Sequence, residues 1–382
     1  MVESIGIYVH FPFCERKCWY CDFVSYGRDS GLHSLIPRYV ETLCREIKLW
    51  GEKIDSLPVT SLFFGGGTPT LVPARELESV LETIDKSFTL AADAEVTIEA
   101  NPGTVSPSLL GDLRAMGINR LSLGIQSFDD QVLKRLGRGH TALQGLEACN
   151  WARAQGFSNL SLDLMFAVPG QNLESWEETL AITTELAPEH VSAYSLIVEE
   201  DTPYGQWCQQ GLLDVPSEDL WADMMELTEA RLASAGLERY EISNYARRGF
   251  ESRHNQIYWR NGPYLGFGAG AHSYWQQRRW ANTSDVTRYI RDFAVTGAPV
   301  AGEETLDLPG QMGETVMLGL RLLRGVDLAE FRRRFGRDLL EVYAETVEEL
   351  VELGLVEVTP DGYLRLTARG LELANQVMAR FV

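Results

Sequence analysis

The chain is short of positive charge: 34 Lys and Arg stand against 54 Asp and Glu, a formal net charge of −20 over 382 residues. Such a balance opposes phosphate polyanions and anionic lipid, so nucleic acid is not an expected partner. A membrane is met at most peripherally, because no basic amphipathic stretch stands out to mediate contact. No segment approaches the roughly 18 uninterrupted apolar residues of a membrane span. The first residues, Met1-Val2-Glu3-Ser4, lack the basic stretch that precedes the apolar core of a secretion signal. A cytoplasmic location is therefore expected, where thiols stay reduced. Low-complexity tracts are missing, as are internal repeats beyond β/α units. Cysteine is scarce, six in all, yet three fall between positions 14 and 21. In a reducing compartment that clustering points to metal before disulfide.

Cys14, Cys18 and Cys21 form a C-x3-C-x2-C pattern in Phe13-Cys14-Glu15-Arg16-Lys17-Cys18-Trp19-Tyr20-Cys21-Asp22. A [4Fe-4S] cluster is normally held by four thiolates, one per iron, so three leave one iron open for an outside ligand. The alternative is a structural zinc site completed by His10, a Cys3His set that zinc accepts. Against it, the cysteines follow an apolar run, Ile5 to Phe11, that reads as a buried strand, and no second C-x2-C knuckle exists. Cys44, Cys149 and Cys208 stand alone and are expected to pack as small apolar residues.

A chain of this length exceeds one growing core, so a large domain and at least one small one are expected. From Ile5 to about Gly236, apolar strand-like runs alternate with helical patterns. The strands are Ile5–Phe13, Val59–Phe64, Glu95–Ala100, Arg120–Ser127, Leu160–Val168 and His190–Val198, each apolar enough to be buried on both faces. The helices are 37–50, 74–86, 107–116, 141–155, 175–186 and 218–235, with apolar positions such as Leu77, Val80, Leu81 and Ile84 on one side. Six such units predict an α/β fold, an incomplete (β/α)6 barrel over residues 1–236, whose ligands gather at the carboxyl ends of the strands. Residues 237–308, aromatic and Gly-rich, read as extra strands and loops with a helix near 284–295. In 309–382, three helices (314–323, 328–335, 339–353) precede a hairpin around Pro360-Asp361-Gly362, a winged-helix-like α+β pattern. Winged helices invite a DNA-binding reading, but from Gly310 onward nine Arg face twelve Asp and Glu. A protein-binding role, over the barrel mouth or toward an acceptor, is expected instead.

Chemistry-bearing residues recur at the expected strand ends. The second strand runs into Gly65-Gly66-Gly67-Thr68-Pro69, where glycine permits positive φ and close backbone approach to a ligand. Glu99 closes the third strand, Gln126 the fourth, Arg138 follows in Leu136-Gly137-Arg138-Gly139, and Asp163 lies in the fifth. Polar groups in buried strands need partners; a ligand is one solution, and an ion pair of Glu99 with Arg138 is another.

The cysteine pattern, followed one β/α unit later by the glycine loop, closely resembles the radical S-adenosylmethionine (SAM) superfamily. That resemblance implies SAM on the open iron, where one-electron reduction would split the sulfonium. Over nearly the whole chain these stretches resemble oxygen-independent coproporphyrinogen III oxidase and its relatives. Carried over by position, the family's SAM contacts fall on Tyr8, Tyr20, Gly66, Gly67, Thr68, Glu99, Gln126, Arg138 and Asp163. Within the family two features differ from the oxidase: Phe23 stands where it has a further Cys, and only 13 residues precede Cys14. These, with His254-Asn255-Gln256-Ile257-Tyr258-Trp259, are similar to the HemW-type haem chaperones. That branch implies haem binding, with His254 as axial ligand and Tyr258 and Trp259 as aromatic faces; His272 is the competing ligand. A haem-accepting protein is the implied partner. The alternative function is a coproporphyrinogen dehydrogenase or another radical SAM oxidoreductase.

Overall fold

The computed structural model describes residues 4–54 and 57–382. Six parallel strands follow one another in the sheet: β1 (Ile5–Phe11), β2 (Pro58–Gly66), β3 (Thr89–Ala100), β4 (Arg120–Gln126), β5 (Leu160–Phe166) and β6 (His190–Ser195). Helices 36–51, 74–87, 107–115, 142–154, 173–185 and 218–234 connect or follow them. Two short edge strands, β7 (Glu238–Arg239) and β8 (Asn244–Ala246), turn antiparallel beside β6. At the other edge, β9 (Tyr264–Phe267) adds a seventh parallel strand against Gly6–Val9 of β1. Beyond it lie the antiparallel β10 (His272–Trp275), β11 (Arg278–Asn282) and β12 (Val300–Thr305). This is an incomplete (β/α)6 barrel with added C-terminal strands.

The two faces of the strands differ. One parity, including Ile5, Ile7, Val9 and Phe11 of β1 and Leu62 and Phe64 of β2, belongs to the main apolar core with the helices. The other parity carries Tyr8 and His10, Ser61 and Phe63, Glu95 and Glu99, Arg120 and Ser122, Ser161 and Asp163, and His190 and Ser192. Expectation and structure part here: the runs looked apolar on both faces, but the inner face is a polar lumen whose side chains bond to one another, as Ser122 to Asp163 and Ser161 to His190.

Residues 254–259, expected as strand or loop, form the end of a helix, Arg253–Trp259, capped by the Ser252 hydroxyl, which accepts from Asn255 N–H. A Cβ at Gly6 would lie 3.0 Å from Ile257 Cδ1, so the missing side chain lets this helix rest on β1. Its backbone N–H groups at Arg253 and His254 donate to Glu95, midway along β3.

The C-terminal part has its own core, built on Val316, Leu320, Phe331, Leu339, Leu350, Leu364, Val377 and Phe381. Its helices 308–319, 328–335, 339–342 and 344–352 surround a three-stranded antiparallel sheet, β13 (Val326–Asp327), β15 (Tyr363–Leu366) and β14 (Val356–Val358) in spatial order, a winged-helix-like α+β unit. The helix expected over 339–353 breaks at Tyr343, whose ring packs on Phe381 at 5.3 Å. This unit meets the barrel through Arg279 with Glu314, Asn261 with Thr315, and Arg321 over the Trp259 ring. Arg334 reaches the Arg260 carbonyl and the Tyr274 hydroxyl. It therefore sits against the 253–259 helix and the β9–β11 edge, and contributes nothing to the lining of the barrel mouth at the strand carboxyl ends.

Candidate functional site

The loop leaving β1 is folded back on itself. Cys14 N–H donates to the Tyr26 carbonyl at 2.9 Å, Tyr26 N–H to that of Pro12 at 2.8 Å, and Cys21 N–H to that of Cys18 at 3.3 Å. Trp19 N–H reaches Leu136 O, and its indole covers Gly137, where a Cβ would be 3.0 Å from the ring. All three cysteines consequently line a chamber of about 510 Å³ at the carboxyl ends of the strands. Each sulfur has a polar neighbour: Thr68 Oγ1 donates to Cys14 Sγ at 3.7 Å, Arg138 Nη1 to Cys18 Sγ at 3.4 Å, and Ser25 Oγ lies 3.9 Å from Cys21 Sγ. Burial pushes the Cys14 and Cys21 thiols up from their ordinary pKa; a metal would have to displace those protons.

Among the described residues no three His, Cys, Asp or Glu side chains converge as on a single metal ion, and His10 is fully bonded elsewhere, to Tyr8 and Val24. The zinc alternative thus has no ligand set. A four-iron cluster gives each cysteine its own iron and needs no such convergence. Two buried polar atoms at the chamber wall, Arg138 Nε and Gln126 Oε1, have no hydrogen-bond partner, as expected where a polar ligand belongs. The residues present fit a cluster with a polar ligand beside it.

Tyr20, Gly66, Gly67, Glu99, Gln126, Arg138 and Asp163 line the same chamber. Thr68 stands behind it, accepting from Asn101 Nδ2 at 2.8 Å. Tyr8 does not join them and faces a neighbouring cavity instead. Glu99 and Arg138 form no ion pair: Glu99 accepts from Gly66 N–H at 3.1 Å, whereas Arg138 donates to Asn101 Oδ1 and to the Gly124 carbonyl at 2.6 Å. Burial, then the Asp163 charge, raises Glu99 to about 8. Asp163, also raised mainly by burial, accepts from Ser122 at 3.0 Å.

The glycines answer first to the chain itself. A Cβ on Gly66, whose φ is +110°, would fall 2.5 Å from the His10 ring, and one on Gly67 2.7 Å from the Phe13 carbonyl. Gln126 also has a positive φ, 65°, an unusual conformation for a residue with a side chain. Arg120, Asn101, Ser122, Ser192 and Tyr194 also line it. Sequence reasoning missed them, although Arg120, a lone cation opening an apolar strand, carried a usable signal.

The neighbouring cavity, about 500 Å³, is walled by Tyr8, His10, Tyr258, Trp259, Tyr264, His272 and Arg279, and shares Asp22 and Phe23 with the chamber. Here the structure departs from the expectation for His254. That ring is 1% exposed, stacked on Phe63 at 5.0 Å, with Nδ1 bonded to Ser61 Oγ at 2.9 Å and Nε2 to the Tyr258 hydroxyl at 2.8 Å. Burial takes it down to about 3. Both nitrogens are spent, so His254 presents no lone pair to an iron. Of the remaining cysteines, Cys44 and Cys149 are buried as expected, but Cys208 is exposed.

The family model of the Radical SAM superfamily matches residues 8–182, and that of the HemN C-terminal domain residues 306–373. The curated relative heme chaperone HemW of Bacillus subtilis is 36% identical over 376 residues, covering 98% of each chain. Heme chaperone HemW of Escherichia coli is 33% identical over 392 residues, 100% of this chain and 99% of the relative. The mitochondrial radical S-adenosyl methionine domain-containing protein 1 of Bos taurus is 36% identical, over 92% of this chain and 73% of its own. Among solved structures, coproporphyrinogen III oxidase (HemN) from Escherichia coli superposes with a TM-score of 0.86 at 24% identity, covering 100% of this chain and 90% of that one, which shows a shared fold. With near-full-length identity of this order to several of its members, the chain belongs to the HemW family of the radical SAM superfamily.

Proposed function

We propose that this protein binds haem as cargo and passes it to an acceptor protein, and that it carries a [4Fe-4S] cluster on Cys14, Cys18 and Cys21 with SAM in the adjoining chamber. The observation that carries the reading is the placing of two unlike cavities behind one loop: a thiol-lined, charged chamber and an aromatic cavity with an exposed imidazole, both bordered by Asp22 and Phe23. The name of the relatives, heme chaperone, supports haem as the cargo.

In the chamber, Arg138 donates to Cys18 Sγ through Nη1 and keeps Nε for a carboxylate, a charge-assisted contact stronger than a neutral one. Asp163 and Glu99 would take hydroxyl groups of a ribose; with its pKa raised to about 8, Glu99 leans toward the protonated form near neutral pH, which offers a donor as well as an acceptor. Tyr20 and Gln126 close the wall. When bound, the cluster supplies one electron to the sulfonium of SAM. In the second cavity, Tyr258 and Trp259 give apolar surface to a planar macrocycle.

The test uses the full chain with its cluster reconstituted anaerobically. Haemin titration should show saturable uptake, and coproporphyrinogen III supplied with SAM and a reductant should persist. Conversion of the porphyrinogen at the rate of an ordinary enzyme, or a failure to take up haem, would overturn the reading.

A further inference from the structure

Three imidazoles stand in or beside the aromatic cavity, and only one is free to bind. His10 is 5% exposed, accepts from the Tyr8 hydroxyl at Nδ1 (3.0 Å) and donates from Nε2 to the Val24 carbonyl (2.7 Å). His254 is sealed between Ser61 and Tyr258. The His272 ring is exposed, lines the cavity, and has no hydrogen-bond partner among the described residues. It is also held firmly. It opens β10, paired with Ala281 of β11, and the next residue, Ser273, clamps the β9 backbone by accepting from Gly266 N–H at 2.9 Å. A Cβ at Gly266 would lie 2.0 Å from the His272 carbonyl, so that close approach fixes the backbone from which the ring projects.

Building on the haem-cargo reading above, we propose that His272 is the axial ligand of the haem, held in the cavity bounded by Tyr8, Tyr258, Trp259 and Tyr264, and that His254 is a positioning residue that fixes the Tyr258 ring. A neutral imidazole is a suitable haem-iron ligand, and partial burial of the ring with the nearby Arg279 charge lowers the pKa of His272, which favours that form. The cavity is of the size that holds small cofactors, a few hundred Å³ or more. Its cation is already spent, because Arg279 is bonded to both carboxylate oxygens of Glu314 and to Asn261; the haem carboxylates would therefore stay toward water. Ligation from one side through an exposed residue leaves a single coordinate bond to break on transfer. The His254 contact to Tyr258 is edge-on, with ring centroids 4.9 Å apart, and sets the angle of that wall without reaching the cavity.

The experiment is haemin titration of the full chain, read by the Soret band and by electron paramagnetic resonance, on wild type, His272→Ala and His254→Gln, with circular dichroism and cluster content as controls. His272→Ala should lower haem affinity by about tenfold or more and lose the imidazole-ligated spectrum, which millimolar imidazole should restore. His254→Gln should weaken haem binding yet keep the imidazole spectrum. If His272→Ala retains the wild-type spectrum, or a folded, cluster-loaded His254→Gln alone loses it, the assignment is wrong while haem binding stands. Wild type without saturable one-to-one uptake would instead remove the haem-cargo reading, and this assignment with it.

Discussion

The chamber at the strand ends and the cavity beside it share the loop through Asp22 and Phe23, yet their titratable side chains differ in how fully they are hydrogen-bonded. In the chamber Arg138 Nε and Gln126 Oε1 lack partners, and Glu99 and Asp163 sit close enough for the charge of one to raise the pKa of the other. In the cavity wall His10, and behind it His254, have spent both ring nitrogens. An unsatisfied buried polar atom costs about 1–3 kcal/mol, so the chamber stores a deficit that a polar ligand relieves. The cavity wall carries one such atom, Trp259 Nε1, and otherwise offers aromatic surface with the accessible His272 ring. Residues of the same chemical type are thus binding groups in one place and structural in the next, according to whether their hydrogen bonds are complete.

The largest expected effect separates the two regions outright. Cys18→Ser should remove nearly all iron and sulfide after reconstitution, while haem uptake persists in the untouched cavity; loss of haem uptake along with the cluster would show that the two sites are not independent. Next in size is the contrast between the imidazoles. His254→Ala strands Ser61 and Tyr258 and opens a hole, and should cost about 2–4 kcal/mol in urea unfolding. His272→Ala should stay within about 0.5 kcal/mol, and equal losses for the two would erase the distinction.

The pH dependence of stability sharpens the comparison further. Glu99, raised in the folded state to about 8, favours folding fully below the unfolded carboxyl pKa, and that contribution is lost as pH rises toward 8. His254, lowered to about 3, favours folding fully above the unfolded imidazole pKa, and that contribution is lost as pH falls below it. Each proton sets a slope of at most about 1.4 kcal/mol per pH unit. Unfolding measured across pH should show Glu99→Gln flattening the alkaline side and His254→Gln the acid side; unchanged slopes would contradict both assignments. The smallest effect belongs to the dividing loop: Phe23, 70% exposed, should tolerate Ala within about 0.5 kcal/mol by thermal unfolding. A larger loss would show that the loop is packed more tightly than its exposure indicates.

Much of this was readable along the chain. The six parallel strands and their helices declared themselves by apolar run and 3.6-residue period, because both depend on neighbours close in sequence. So did the loop of thiols and the glycines after β2. Less legible were β9, four residues long and interrupted by Gly266, and the helix over 253–259, too short for its period to register. The inner polar face was hidden because Ser, Gly and Tyr dilute an apolar pattern without breaking it. Tyr8 illustrates the limit: its position on β1 was clear, but not which of two cavities its ring would enter.

By itself the sequence determined the order of the elements, the placing of Cys14, Cys18 and Cys21 on the first loop, and the gathering of Glu99, Gln126 and Asp163 at strand ends, since strand parity and spacing are local properties. Only the tertiary structure decided what each polar group has left to give. His254 is sealed by Ser61, 193 positions away, and His272 is left open by the turn between β9 and β10. Hydrogen-bond satisfaction is a long-range property, completed by whichever donors the fold brings within about 3 Å, and no local pattern encodes it.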